Sequence, residues 1–367
     1  MQAVAEKVTF ENGGAFVREL RGEADAYLAQ PRVRRRGLVQ LYAKAPIALG
    51  LTLASWCVLL FARPGAAGIA LALVGLTAGT LLTAFVIFHD ANHGAYFRSR
   101  RSNHLLGWSA DVLLGYSSYA WRVKHNVAHH TYTNVEGFDA DITQSPFARF
   151  LPSEARRSWY RWQHLYIWPM YLVMGLRWQI AGDAAAFGRG RIGQSALRFP
   201  RGWDLAGVVG GKLAFAAWAI GIPALFYPWW AVLAAYVGVS AVVSLVMAVT
   251  FQLAHCVEEA SFTSVAELAG ERPNWAVHEV ETTVDFCQGS AAMCWILGGL
   301  NFQIEHHLFP RVPHTHYPAL APLVREACAR HGVRYTAQPT LRAAFRSHYR
   351  HLRTMGELRL PVELEMG

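Results

Sequence analysis

The sequence predicts an all-α integral membrane protein: four transmembrane helices as two hairpins, with interfacial helices and a cytoplasmic helical cap. Three observations lead there. Charged residues make up only 16% of the chain against 53% hydrophobic residues, where soluble domains carry about 25% charged residues. Long blocks without a single charge occupy 45–62, 64–88 and Leu213–Ala254. Lys and Arg cluster outside those blocks, as they do in segments retained on the cytoplasmic side of a membrane.

A helix crossing the hydrocarbon core needs about 20 apolar residues. The 213–254 block is long enough for two crossings, and FYPWW at 226–230 interrupts it with Pro228 and aromatic residues suited to an interfacial turn. The expected spans are therefore about 45–62, 64–88, 207–226 and 229–254. They divide the chain into a polar, basic N-terminal segment (1–40), a membrane domain (41–340) and a C-terminal tail (341–367). With four spans, the N-terminus, the segment 89–212 and the segment from 255 onward share one side. Arg32, Arg34, Arg35, Arg36 and Lys44 lie just ahead of the first span and assign that side to the cytoplasm. The expected location is a bacterial inner membrane with both termini inside. LYIWPMYLVMGL (165–176) contains Pro169, and SAAMCWILGGL (290–300) is shorter still. Both are expected to lie on the interface or pack under the bundle. Trp121, Trp159, Trp162, Trp168, Trp229 and Trp230 read as interface anchors.

The formal net charge of +9 fits basic flanks of membrane spans, and no nucleic-acid partner is expected. Five cysteines, an odd number with no CxxC pair, argue against a disulfide framework and for a reducing compartment. The first forty residues have no apolar core, so no signal peptide is expected.

Histidines supply the chemistry. HDANH (89–93), HNVAHH (125–130) and QIEHH (303–307) gather seven of them, and His255 stands one residue beyond the last uncharged block. His89 and His93 are one turn apart on a helix, as are His125 and His129. His130 sits about 100° further round than His129, and the adjacent pair His306 and His307 likewise aim at different points. All of these fall on the same expected side of the membrane. Eight imidazoles exceed what one zinc takes, so their number suggests two ions. Ligand type does not choose the metal, because imidazole suits zinc, copper, iron and nickel. His104, His164, His278, His314, His316, His331, His348 and His351 read as structural.

The three histidine boxes in this order, with HHTYTNVEGFDADI and GGLNFQIEHHLFPRVPHTHYPAL around two of them, resemble the membrane fatty acid desaturases. The likeness is to the bacterial linoleoyl-CoA and front-end group and runs from about residue 40 to about 340. It implies a non-haem centre of two iron ions that uses O2 as co-substrate. Such a centre removes two hydrogens from neighbouring methylenes of a long acyl chain and leaves a cis double bond. It implies His89, His93, His125, His129, His130, His255, His306 and His307 as metal ligands.

Gln303 departs from relatives with His at that position. It either binds iron through its amide oxygen, binds through water, or hydrogen-bonds a ligand. Asp90, Asp139, Asp141 and Asn301 are expected to support ligands from behind, and Glu305 is a similar candidate. No HPGG haem motif occurs, so electrons are expected from an external donor such as a ferredoxin or a b5-like protein. The basic residues Arg98, Arg100, Arg101, Arg122 and Lys124 read as a solvated or lipid-facing surface, or as its docking face. The acyl substrate is carried on CoA, a carrier protein or a lipid. The alternative is a hydroxylase or acetylenase on the same scaffold. A non-catalytic metal-binding membrane protein would need ionisable residues inside the spans, and a zinc hydrolase would need fewer histidines.

Overall fold

The computed structural model describes residues 8–143, 146–270 and 272–358. Four of its helices are long and apolar enough to cross a membrane: Pro31–Phe61, Ala66–His93, Trp203–Leu225 and Trp229–His255. Each agrees closely with its expected span at one end or at both; the first begins well before its expected start and the second runs past its expected end. The first starts at Pro31 because proline at the first turn needs no partner for a missing N–H, and nothing before Lys44 breaks the helix. The basic residues at 32–36 thus ride on the spanning helix itself. The second continues through a π-helical turn, Thr83–Phe88, into His89–His93 and stops at Gly94 in the left-handed conformation (φ 76°).

Small residues let the first hairpin close tightly. A Cβ on Gly79 would lie 2.3 Å from Thr52 Oγ1 and 3.0 Å from the Ala48 carbonyl, and one on Gly75 would lie 2.3 Å from Ser55 Oγ. Gly75 and Gly79 are spaced as in membrane helix pairs that bring backbones into contact. Outward, Leu71, Val74, Leu213, Leu225, Trp229 and Trp230 are exposed, an apolar belt of the kind lipid covers.

The stretch expected at 165–176 forms the helix Gln163–Arg177, which packs along the fourth span. Gly175 is the contact point: its N–H donates to Ser244 Oγ at 3.0 Å. Of the second stretch, Ala291–Ile296 is helical, with Trp295 and Ile296 exposed.

From the expected C-terminal tail, Leu341–Glu357 is a helix that buries Ala344, His348, His351 and Leu352 along one face. Arg149, fully buried, holds its end by donating to the carbonyls of Met355 (3.1 Å) and Leu358 (2.7 Å). Residues 1–7 and 359–367 of the expected terminal segments lie outside the described residues. Among the described residues the only strands are two pairs of two-residue strands. One, parallel, joins Asp285–Phe286 to Ala337–Gln338 beneath the third histidine box.

Candidate metal centre

Four separate elements deliver the histidines to one place. The end of the second span carries His89 and His93, and the π-helix Arg122–His129 carries His125 and His129, with His130 as its cap. The end of the fourth span carries His255, and the helix Gln303–Leu308 carries Gln303, His306 and His307. All nine side chains are buried.

The ligating atoms fall into overlapping groups, each within 4.8 Å: His89, His93, His125 and His306; His129, His255 and His307; His130, His306 and His307. Ring centroids lie 4.5 Å apart for His89 and His306, and 4.6 Å for His129 and His255. His130 sits between the first two groups, its Nε2 3.2 Å from His125 Nε2 and 3.0 Å from His306 Nε2.

The far nitrogens are held from behind. His129 Nδ1 is 2.9 Å from Asp139 Oδ2, His307 Nδ1 2.6 Å from Glu279 Oε2, and His89 Nδ1 3.4 Å from Asp90 Oδ1. A carboxylate that is ionised only accepts, which puts the hydrogen on Nδ1 and turns the Nε2 lone pair to the cluster. His89 Nε2, His93 Nε2 and His129 Nε2 are buried without a hydrogen-bond partner, which native structures rarely leave unexplained. Burial, reinforced by the neighbouring imidazoles, pushes His125, His130, His306 and His307 well below the usual histidine range. Buried imidazoles converging with unpartnered Nε2 atoms are what metal binding requires. An imidazole donor set suits borderline transition ions such as zinc, copper, iron or nickel.

A profile of the fatty acid desaturase family matches residues 64–339. The chain belongs to the fatty acid desaturase family. It is 34% identical over 361 residues to an sn-1 linoleoyl-lipid 6-desaturase of Arthrospira platensis, covering 97% of this chain and 96% of that one. A protein of the same description from Synechocystis sp. is 32% identical over 96% of this chain and 99% of its own. An acyl-lipid (8-3)-desaturase of Physcomitrium patens is 36% identical over 74% of this chain and 57% of its own. This is a membrane-bound fatty acyl desaturase, and its buried histidine clusters are compatible with a metal site.

Around the desaturase cluster, the expected supporting residues divide. Asp90 and Asp139 each contact a box histidine. Asp139 also accepts from the Asn134 and Asp141 backbone N–H groups. The Asp141 carboxylate pairs with Lys124, within reach of His129. Asn301 turns its amide to the Phe286 carbonyl at 3.1 Å and so braces the loop before the third box. Glu305 accepts from Tyr335 OH at 3.0 Å. The Gln303 amide lies 3.0 Å from His255 Nε2 and 3.2 Å from His307 Nε2, inside the second group.

Several neighbours escape a sequence reading. Glu279, in WAVHEVET, has no spacing relation to any box. His314, read as structural, contacts Asp90 at 2.7 Å. Trp121 is not an interface anchor: its ring lies 4.3 Å from His125 and 5.4 Å from His93 and walls one side of the cluster. Its place four residues before His125 is the one available signal. Trp168 is half-buried and packs on Tyr171 and Phe345. Trp159, Trp162, Trp229 and Trp230 are exposed.

Proposed function

We propose that the desaturase binds two non-haem irons through His89, His93, His125, His129, His130, His255, His306 and His307. In the same reading Gln303 completes the group around His255, through its oxygen or a hydrogen bond. The observation that carries this is the convergence of four elements' imidazoles, with orphaned Nε2 atoms directed inward. When bound, the irons would supply the oxidising power that O2 lends to removal of hydrogen from unactivated methylenes.

The chain's own residues do the rest. Asp139 and Glu279 fix the rings of His129 and His307, so the ligand set is assembled before substrate arrives. Trp121 and the buried cap exclude water from the reacting carbons. A substrate without polar groups near its reacting carbons can be positioned only by shape. An apolar cleft of about 200 Å³ inside the span bundle, lined by Trp56, Leu76, Thr80, Trp218, Ala235 and Val243, supports this. Thr80 precedes His89 by nine residues and Val243 precedes His255 by twelve. At 1.5 Å per residue, the near edge of the cleft lies roughly 13–18 Å along the helices from the cluster. It would take the methyl-end part of the chain.

For O2 and two substrate hydrogens to leave as two waters, two electrons and two protons must come from outside. A ferredoxin or b5-like protein docking on the cytoplasmic face of a bacterial inner membrane fills that role. The relatives' names favour a lipid-linked acyl chain and a new double bond at position 6.

Expression in a host fed linoleate, followed by lipid mass spectrometry with double-bond localisation, tests the reading. A 6-cis product that disappears in His129→Ala and His307→Ala, with about two irons per purified chain, is expected. A hydroxylated chain without a new alkene would transfer the assignment to the hydroxylase alternative. One zinc with O2-independent activity would remove the di-iron reading.

A further inference from the structure

Lys44 reads in the sequence as one of the basic residues flanking the first span. The structure buries it instead, 4% exposed, with its ammonium 2.8 Å from His314 Nε2 and 3.3 Å from the Trp295 carbonyl. Beyond the imidazole, His314 Nδ1 lies 2.7 Å from Asp90 Oδ2, and Asp90 Oδ1 lies 3.4 Å from His89 Nδ1. Lys44, His314, Asp90 and His89 thus form a buried row from the first span to a box histidine. The row is clamped in place. Thr315 Oγ1 donates to the Gly37 carbonyl at 3.2 Å, and the His316 ring packs so closely on Gly37 that a Cβ there would lie 2.2 Å from its Nε2.

The direction of the hydrogens follows from the chemistry of the first residue. An ammonium has three donors and no acceptor, so the Nε2 of His314 must accept. The hydrogen of the neutral ring is then on Nδ1, where it donates to Asp90. A carboxylate cannot donate onward, so Asp90 accepts from both sides, including the Nδ1–H of His89. His89 Nε2 is left with its lone pair, and that atom has no partner in the protein.

We propose that Lys44 is a positioning residue for the metal centre: by anchoring His314, it holds the Asp90 carboxylate against His89 Nδ1 and so fixes the ring that faces the histidine cluster. Without the ammonium, His314 keeps its hydrogen on Nδ1 beside Asp90 but loses its anchor at Nε2, so the ring and the carboxylate it braces are free to shift away from His89. The inference rests on the reading of the cluster as a metal centre.

The test uses full-length protein in detergent, with iron(II) titrated against a colorimetric chelator. Lys44→Met is expected to weaken iron binding roughly 10–100-fold, the usual effect of losing a residue that orients a ligand. Its gel-filtration profile and metal-free melting curve should stay those of the wild type. Lys44→Arg, still a cationic donor, should restore most of the affinity. In His314→Asn the amide N–H still reaches Asp90 but the link to Lys44 is cut, so adding Lys44→Met should change nothing further. Folded Lys44→Met with wild-type affinity, or an undiminished effect of Lys44→Met in the His314→Asn background, would overturn the proposal. Should Lys44→Met not fold, His314→Gln takes its place: its amide meets Lys44 but does not reach Asp90. The same loss is expected, and unchanged affinity sinks the idea. A wild-type protein that binds no iron would instead end the metal-centre reading itself.

Discussion

Removing Glu279 should loosen one metal position and spare the other. Its Oε2 lies 2.6 Å from His307 Nδ1 and 2.8 Å from Thr133 Oγ1, with both partners buried. Thr133 has a second acceptor in the His129 carbonyl at 2.8 Å, so its loss is small. The His307 contact carries the effect. Burial pushes the Glu279 carboxyl well up, and a dication at His307 Nε2 would favour the ionised form that accepts from Nδ1–H. A hydrogen bond to a charged group is worth about 1.5–3 kcal/mol, and each 1.4 kcal/mol is about tenfold. Glu279→Ala should therefore weaken the ion held by His129, His255 and His307 by roughly 10–150-fold. The group of His89, His93, His125 and His306 does not touch this carboxylate and should keep its ion. Glu279→Gln retains an acceptor without the charge and should fall between. Iron(II) competition titrations and iron content per chain read this directly. Folded Glu279→Ala that binds two irons with wild-type affinity, or a Gln variant worse than Ala, refutes the reasoning.

Other outcomes follow from packing. Gly175→Leu drives a side chain into Ser244 Oγ (2.3 Å from the added Cβ) and Tyr116 OH (2.7 Å). It should destabilise the contact between Gln163–Arg177 and the fourth span by about 1–3 kcal/mol, seen as a lower melting temperature in detergent. Ala235→Trp, in the wall of the bundle cleft, should shift product from longer to shorter acyl chains while total iron stays constant. An unchanged chain-length profile would place the methyl end elsewhere.

The spans were legible because lipid imposes a simple rule, apolarity over a fixed length, and Trp229–His255 follows it to within one residue of the expected 229–254. The helix from Pro31 was read short because charge marks where a helix meets water, not where it begins. The box histidines were legible because their spacing matches one helical turn. Glu279, Lys44 and His314 were not, because each reaches the cluster across a tertiary contact. Thr133 and Glu279, for instance, are 146 positions apart. Trp121 shows the reverse error: an aromatic with good membrane-surface credentials was taken by the cluster because its helix turned it inward.

The helices that anchor the protein in lipid are also the stems on which His89, His93 and His255 stand. Their height above the hydrocarbon is therefore graduated in steps of about 1.5 Å, and each step also swings the ring by about 100°. Inserting one residue between Gly79 and His89 would raise those rings slightly but rotate them away from their partners. Such a ruler tolerates changes of residue type along its shaft far better than changes of length.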